Sequence, residues 1–386
     1  MTYCFFSAQY LPTSGGVERY TNNLARELVR RGEKAIVVTS ALPGLPEHET
    51  DDCGIEIYRV PSFLLMGGRF PVVKPGEKAR VLLRQAISKA DCGIVQTRFY
   101  PLSLFAAQTA KKMRLPFVVV EHGAAHLNMG TPFLNWCGEC YEHLVTHQLR
   151  RIVPAFYAVS HAGCEWLKHF KITGKGVLYN FISLEALGQE TKEGIATFRE
   201  ERAIPVGRPL VAFTGRLVPE KGITQLAEAV LSMQGKNVAP LLAVAGDGPL
   251  LKPLQTQGSC VFALGALPQQ EVFRLLRQAD IFCLPSESEG MSTSVLEAAA
   301  CGCYVITTDR GGSKELISSS EYGMILNDNR PETIKSALEE ALENPKLRKE
   351  AAVAAQQRVL YEFSCPATCD ALQAIPWKEL SAAKDR

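Results

Sequence analysis

A chain of 386 residues, 46% hydrophobic and 21% charged, is long enough for two or three domains and has an ordinary globular composition. Its 42 Lys+Arg against 40 Asp+Glu, with no recognisable nucleic-acid motif, argue against nucleic-acid binding. No apolar run reaches the length of a membrane-spanning helix, and the start Met1-Thr-Tyr-Cys-Phe-Phe lacks the basic region of a signal peptide, so it reads as a first strand. The 12 cysteines follow no repeating spacing and read as reduced cytosolic thiols, several of them in the core.

In chain order, apolar runs predict strands at Tyr3–Ala8, Lys34–Thr39, Ile55–Arg59, Ile94–Gln96, Phe117–Glu121 and Ala155–Val159. The 3.6-residue period predicts helices at Val17–Arg31, Lys78–Ala90 and Leu102–Lys112 between them. The second half repeats the alternation. Strands are expected at Leu210–Thr214, Leu241–Ala245, Val261–Ala263, Ile281–Leu284, Tyr304–Thr307 and Gly323–Leu326, with helices at Gly222–Met233, Gln269–Gln278 and Pro331–Glu343. Such alternation implies an α/β protein with parallel sheets covered on both faces. Two runs separated near 180–195 imply two doubly wound, Rossmann-like domains, 1–183 and 184–362, with a tail helix at about 363–386 docking back on the first. Ligands of such sheets bind outside the carboxyl ends of the strands, and a cleft between two facing domains is the expected site. The halves differ in charge. Residues 1–183 hold 21 basic and 14 acidic side chains, and 184–386 hold 21 and 26. A net +7 on the first half, which also has all seven histidines, suits an anionic partner, and ordinary drift of surface charge explains it equally well.

The chemistry concentrates after the strand Ile281–Leu284. A polar loop with Glu289 and Gly290 leads into an alanine-rich helix from about Thr293 to Ala300 that carries Glu297. Backbone N–H groups of Met291, Ser292 and Thr293 at that helix start offer an anion site between two carboxylates. Phosphates in the middle and hydroxyls at both ends, the layout of a nucleotide sugar, would fit. After Leu210–Thr214, Gly215 allows a tight exit, and Arg216 and Lys221 set two cations at a strand's carboxyl end, where phosphates would lie.

Gly215-Arg216 with Lys221-Gly222, Gly246-Asp-Gly248-Pro249, Glu289-Gly290 and Glu297-Ala298 with Gly302 run in the order typical of retaining glycosyltransferases of family 4, which have the GT-B fold. Gly15-Gly16-Val-Glu18, Glu121-His122-Gly123 and Val159-Ser160 extend the resemblance over nearly the whole chain. It implies that Arg216 and Lys221 neutralise the donor diphosphate, Glu297 binds the ribose hydroxyls, and Glu289 and the groups after Gly290 contact the transferred sugar. Gly16 lets the backbone approach the diphosphate, His122 sits by the donor sugar, and Leu267 of Gly265-Ala-Leu-Pro lies against the base. Two fixed cations would replace a metal, so neither cofactor nor metal is expected. The implied reaction transfers a sugar with retention from a UDP-sugar, or secondarily a GDP-sugar, to a glycan or lipid-linked acceptor. A nucleotide-sugar epimerase and an inactive binding module are the other classes. Asn180-Phe-Ile-Ser183, Met291-Ser292 and Tyr304 depart from the family pattern.

Three further features are weighed. Cys137, Cys140, His143 and His147 share one helix face at zinc-like spacing, but ordinary helix packing is preferred. Glu287-Ser-Glu289 could mimic a metal-binding acid pair, though Arg216 and Lys221 make a metal redundant, and Ser160 before His161 reads as a helix N-cap. Basic clusters at Arg26–Lys34, Lys111–Arg114 and Arg150-Arg151, with apolar segments Phe63–Phe70 and Met129–Trp136 between elements, would suit peripheral attachment to the anionic inner face of the cell membrane, and solvated helix faces explain the charges nearly as well.

Overall fold

Runs such as Tyr3-Cys-Phe-Phe have no polar face, so they are stable only where both sides of a strand are covered, and they form the centres of two parallel sheets. The computed structural model describes residues 1–13, 15–127, 130–188, 197–235 and 238–382. By its contacts the chain divides into Met1–Asn180 with Cys365–Arg386, and Phe181–Ser364. Residues 189–196, within the expected boundary region, lie outside the described residues.

In the first unit, β1 (Thr2–Phe6), β2 (Lys34–Ser40), β3 (His48–Thr50) and β4 (Glu56–Val60) are followed by a hairpin, β5 (Ser62–Leu65) and β6 (Phe70–Val73). Then come β7 (Cys92–Gln96), β8 (Phe117–Glu121) and β9 (Phe156–Ala158). The main sheet has the order β3-β4-β2-β1-β7-β8-β9, parallel except for β3. The chain winds outward from β1 through β2, then crosses back to β7, so the reversal of strand order falls between β1 and β7. The helix Gly16–Arg30 leaves the β1 loop and buries Tyr20, Thr21, Leu24, Ala25 and Leu28, one stripe at helical spacing. Against it lies the tail helix Cys365–Gln373. Arg31 Nη1 is 2.5 Å from Asp370 Oδ1, Thr368 donates to the Tyr179 carbonyl at 3.0 Å, and Trp377 meets Tyr3 edge-on at 6.4 Å.

The second unit has β10 (Leu210–Thr214), β11 (Leu241–Ala245), β12 (Val261–Gly265), β13 (Ile281–Leu284), β14 (Tyr304–Thr308) and β15 (Met324–Leu326). Its sheet is wholly parallel in the order β12-β11-β10-β13-β14-β15. Its reversal falls between β10 and β13. Expected and observed strands agree to within two residues at each end.

Three readings change. The segment Phe63–Phe70 was expected to lie between elements, yet most of it forms the β5–β6 hairpin, whose turn carries Gly67 at φ 66°. Of Met129–Trp136, Met129 lies outside the described residues, and the run from Pro132 opens the helix Pro132–Leu149, with Thr131 accepting from Leu134 N–H as its cap. The short antiparallel β3 was not expected at all.

Candidate active site

Ligands of a doubly wound sheet sit where the strand order reverses, beside the carboxyl ends of the two flanking strands. In the second unit those strands are β10 and β13, and their loops carry Arg216, Lys221 and Glu289. Lys221 Nζ donates to Glu289 Oε1 at 2.5 Å, with both side chains largely buried. The backbone holds the pair in register: the Glu220 carbonyl accepts from Glu287 N–H at 2.8 Å and from the Ser286 hydroxyl at 3.1 Å. Arg216 stands apart, 61% exposed, with Nη2 3.8 Å from Glu220 Oε1.

The neighbouring loops pack on this core backbone to backbone. Gly215 N–H donates to Ala245 O at 3.0 Å, and Gly246 N–H to Gly265 O at 2.8 Å, so the sheet's stepping continues past its strands. Gly246 has φ 156°, and a Cβ there would stand 1.8 Å from the Gly215 carbonyl oxygen. No other residue fits that position. Leu267, two residues beyond Gly265, is half-buried. The helix Thr293–Ala300 begins where expected, with Ser292 as N-cap but no side-chain capping bond. Ser292 and Thr293 are partly exposed, whereas the Met291 side chain is 6% exposed, so that residue presents mainly backbone. Glu297 is 7% exposed and accepts from Gln269 Nε2 at 3.3 Å.

In the first unit, Gly15 and Gly16 form the lip of the helix that follows β1. A Cβ at Gly15 would meet Glu18 Oε2 at 2.3 Å, while the space beside Gly16 is open. Burial raises the carboxyl pKa of Glu18. His122, in the loop after β8, meets Tyr20, one turn into that helix, edge-on at 4.8 Å. His122 Nε2 is 2.6 Å from Gln96 Oε1. Burial lowers its pKa to about 3, so the ring is neutral at physiological pH. Beneath it, buried Arg98 pairs with Glu121 at 3.1 Å and Glu142 at 2.6 Å and lies 3.8 Å from the centroid of Phe170. Glu121 also accepts from Gly123 N–H at 3.0 Å. Burial raises the pKa of Glu121, and the nearby Glu142 carboxylate adds to the rise, while Arg98 and the Gly123 N–H oppose it.

Sequence reasoning missed several of these groups. Gly311 and Gly312, after β14, clasp the Glu289–Gly290 loop: Gly312 N–H donates to Gly290 O at 2.7 Å. Two consecutive glycines at a strand's carboxyl end were the available signal. Gln96, Arg98 and Glu142 are scattered in sequence and left none. The Cys137/Cys140/His143/His147 stripe does not assemble: among the described residues, no ligand cluster contains Cys137, Cys140 or His147. Glu287 and Glu289 likewise face different partners, Asn329 and Lys221. Ser160 is the N-cap of His161–His169, accepting from Gly163 N–H at 3.0 Å.

Paired Rossmann-like sheets with a Lys–Glu pair at the reversal point of one of them define a class, and similarity to known proteins agrees. The family of glycosyl transferases group 1 matches residues 194–358, and Glycosyltransferase Family 4 matches residues 14–186. The chain belongs to this glycosyltransferase family and has the GT-B fold. Among its relatives is TuaC of Bacillus subtilis, named for teichuronic acid biosynthesis, at 30% identity over 72% of this chain and 69% of that protein. Another is a GDP-mannose-dependent alpha-mannosyltransferase of Mycolicibacterium smegmatis, 25% identical over 96% of each chain. HepE of Anabaena, solved in complex with UDP-glucose, superposes with a TM-score of 0.73 at 18% identity, covering 99% of this chain and 100% of that one.

Proposed function

We propose that this glycosyltransferase moves a sugar, with retention of configuration and without a metal at the donor, from a UDP-sugar to a hydroxyl of a glycan or lipid-linked acceptor. The observation that carries the reading is the Lys221–Glu289 pair at the reversal point of the second sheet. An ammonium has three N–H donors, and Glu289 occupies one. The others, with exposed Arg216, supply positive charge for a departing diphosphate. The carboxylate of Glu289, oriented by Lys221, orients sugar hydroxyls, while Glu297 receives the ribose. Gly215, Gly246 and Leu267 line the nucleotide side, and the N–H groups following Gly290, of Met291, Ser292 and Thr293, serve the sugar and phosphates. Gly15, Gly16 and neutral His122, in the first unit, keep the donor-side roles that the family resemblance implies.

The structure of HepE with UDP-glucose supports UDP, and the GDP-mannose-dependent relative keeps a GDP-sugar as the second reading. The enzyme would work in the cytoplasm, on the inner face of the membrane. No helix among the described residues is long and apolar enough to cross a bilayer. Phe133 and Trp136 on the helix Pro132–Leu149 are 69% and 61% exposed, and Phe63, Leu65 and Met66 of the hairpin region are exposed by half or more. These apolar side chains support interfacial contact.

The test is calorimetric titration with UDP, GDP, ADP and dTDP, with and without EDTA. One nucleotide should bind, survive EDTA, and be lost in Lys221→Ala. Binding that appears only with a divalent ion would overturn the metal-free donor site, and absence of all four would overturn the assignment.

A further inference from the structure

Three histidines far apart in sequence meet at one point of the first unit. His126 lies in the loop after β8, His143 on the helix Pro132–Leu149, and His169 at the end of the helix His161–His169. His169 Nε2 is 3.2 Å from His126 Nε2 and 3.2 Å from His143 Nε2, and the candidate ligand atoms of all three lie within 4.8 Å of one another. Hydrogen bonding does not account for this. A neutral imidazole nitrogen has one in-plane position, holding either a proton or a lone pair, so His169 Nε2 can complete only one of the two contacts. Three lone pairs aimed at a common cation satisfy all of them. Tetrahedral Zn–N bonds of about 2.0–2.1 Å set ligand nitrogens roughly 3.3 Å apart, close to the two 3.2 Å separations that His169 Nε2 makes.

The surroundings match those of a ligating imidazole. His126 Nδ1 lies 3.3 Å from Glu142 Oε2, an electrostatic contact without hydrogen-bond geometry, and the nearby carboxylate favours a proton on Nδ1, which leaves Nε2 with its lone pair. Glu142 is itself fixed by Arg98 and accepts from Leu127 N–H at 2.8 Å, so the loop bearing His126 is held from beneath. Trp166 stacks on His169 at 5.0 Å with 4° between the ring planes.

We propose that His126, His143 and His169 bind one divalent transition-metal ion, Zn²⁺ foremost, through their Nε2 atoms. Three nitrogens and no thiolate suit Zn²⁺, with Co²⁺ and Ni²⁺ as substitutes. His143 and His169 are exposed, so the fourth position opens to water. The ion ties the β8 loop to two helices. Through Glu142, Arg98 and Glu121 the same network reaches the residue before His122. Its role is to brace that loop, independently of the donor chemistry above.

The full chain, treated with chelator and desalted, would be titrated with Zn²⁺ and with Co²⁺. One ion per chain is expected, and the Co²⁺ form should show the visible bands of a four-coordinate site without a near-ultraviolet sulfur-to-metal band. Both His143 and His169 are exposed, so His143→Asn and His169→Asn should fold, yet each should weaken binding beyond the about 10–100-fold typical of losing an outer-shell partner. Zn²⁺ should raise the melting midpoint of the wild type but not of either variant. Cys137→Ser/Cys140→Ser should bind as the wild type does. Failure of the wild type to take up one equivalent, undiminished binding in both histidine variants, or a sulfur-to-cobalt band lost with the cysteines would overturn the site.

Discussion

Lys221 Nζ and Glu289 Oε1 lie 2.5 Å apart across the point where the strand order of the second sheet reverses. Each residue was expected at the donor, but as a separate contact, one for phosphate and one for sugar. Joined, they form a unit: in the proposed function, the ammonium assigned to the diphosphate also orients the carboxylate assigned to the sugar. Lys221→Ala should therefore lower turnover by roughly 10²–10³-fold. Glu289→Gln in the Lys221→Ala background should cost much less than it does alone, because the orientation it depends on has already gone. Steady-state kinetics of the two single variants and the double variant decide this. Additive costs would show that the pair is incidental.

Gly311 holds the same loop from the other side. Its φ is 54°, and a Cβ would lie 2.2 Å from Gly290 O and 2.3 Å from Glu289 O. Gly311→Ala cannot be absorbed by a rotamer change, because the obstacle is backbone. We expect a loss of roughly 1–3 kcal/mol of stability and a disproportionate fall in kcat, with the far-ultraviolet spectrum unchanged. Urea unfolding with parallel kinetics checks both; a variant with wild-type kcat would mean the clasp is not needed for the reaction.

Buried Arg98 serves two carboxylates, Glu121 and Glu142. Removing it leaves both without their cation in the interior. Arg98→Met should destabilise the first unit by about 3–5 kcal/mol, more than Glu142→Gln, which removes one of the two competing charges. Denaturant midpoints of the two variants give the order, and the reverse order would refute the account.

The strands were legible because a parallel strand covered on both faces is a continuous apolar run, and Leu210–Thr214, Leu241–Ala245 and Phe117–Glu121 have no other way to be buried. β3 was not, since His48–Thr50 is three polar residues held only by its antiparallel partner. Glycines and acids at strand ends marked the loops after β10 and β13 that are proposed to hold the donor. What stayed hidden depends on long-range convergence. His126, His143 and His169 are 17 and 26 residues apart in sequence, and the zinc-like spacing actually visible, Cys137 to His147, follows a single helix that presents no shared ligand point.

The exposed aromatic side chains on Pro132–Leu149 yield a prediction for membranes. Phe133→Ser/Trp136→Ser should reduce sedimentation with vesicles containing anionic lipid severalfold and leave nucleotide binding unchanged. The wild type should be released by raised salt, since the attraction is partly electrostatic. Equal sedimentation of both proteins would show that this surface does not meet the bilayer.

His122 gives the pH dependence. Burial lowers its pKa to about 3, from the ordinary 6.5 of an exposed imidazole. A histidine with a depressed folded value contributes its full stability above the unfolded value. Between pH 6.5 and 3 the unfolded chain takes up a proton that the folded chain does not, so stability falls with falling pH, by up to about 1.4 kcal/mol per unit for one proton. His122→Gln removes that proton uptake. The gap in unfolding free energy between wild type and variant should therefore narrow, or change sign in favour of the variant, from pH 7.5 to pH 4.5. Glu121, with a raised value, biases the opposite way but is common to both proteins and cancels in the difference. Urea titrations at the two pH values measure it. A gap that does not change with pH would mean that His122 is protonated as readily in the fold as in the open chain, and that the neutral ring assigned to the donor side is wrong.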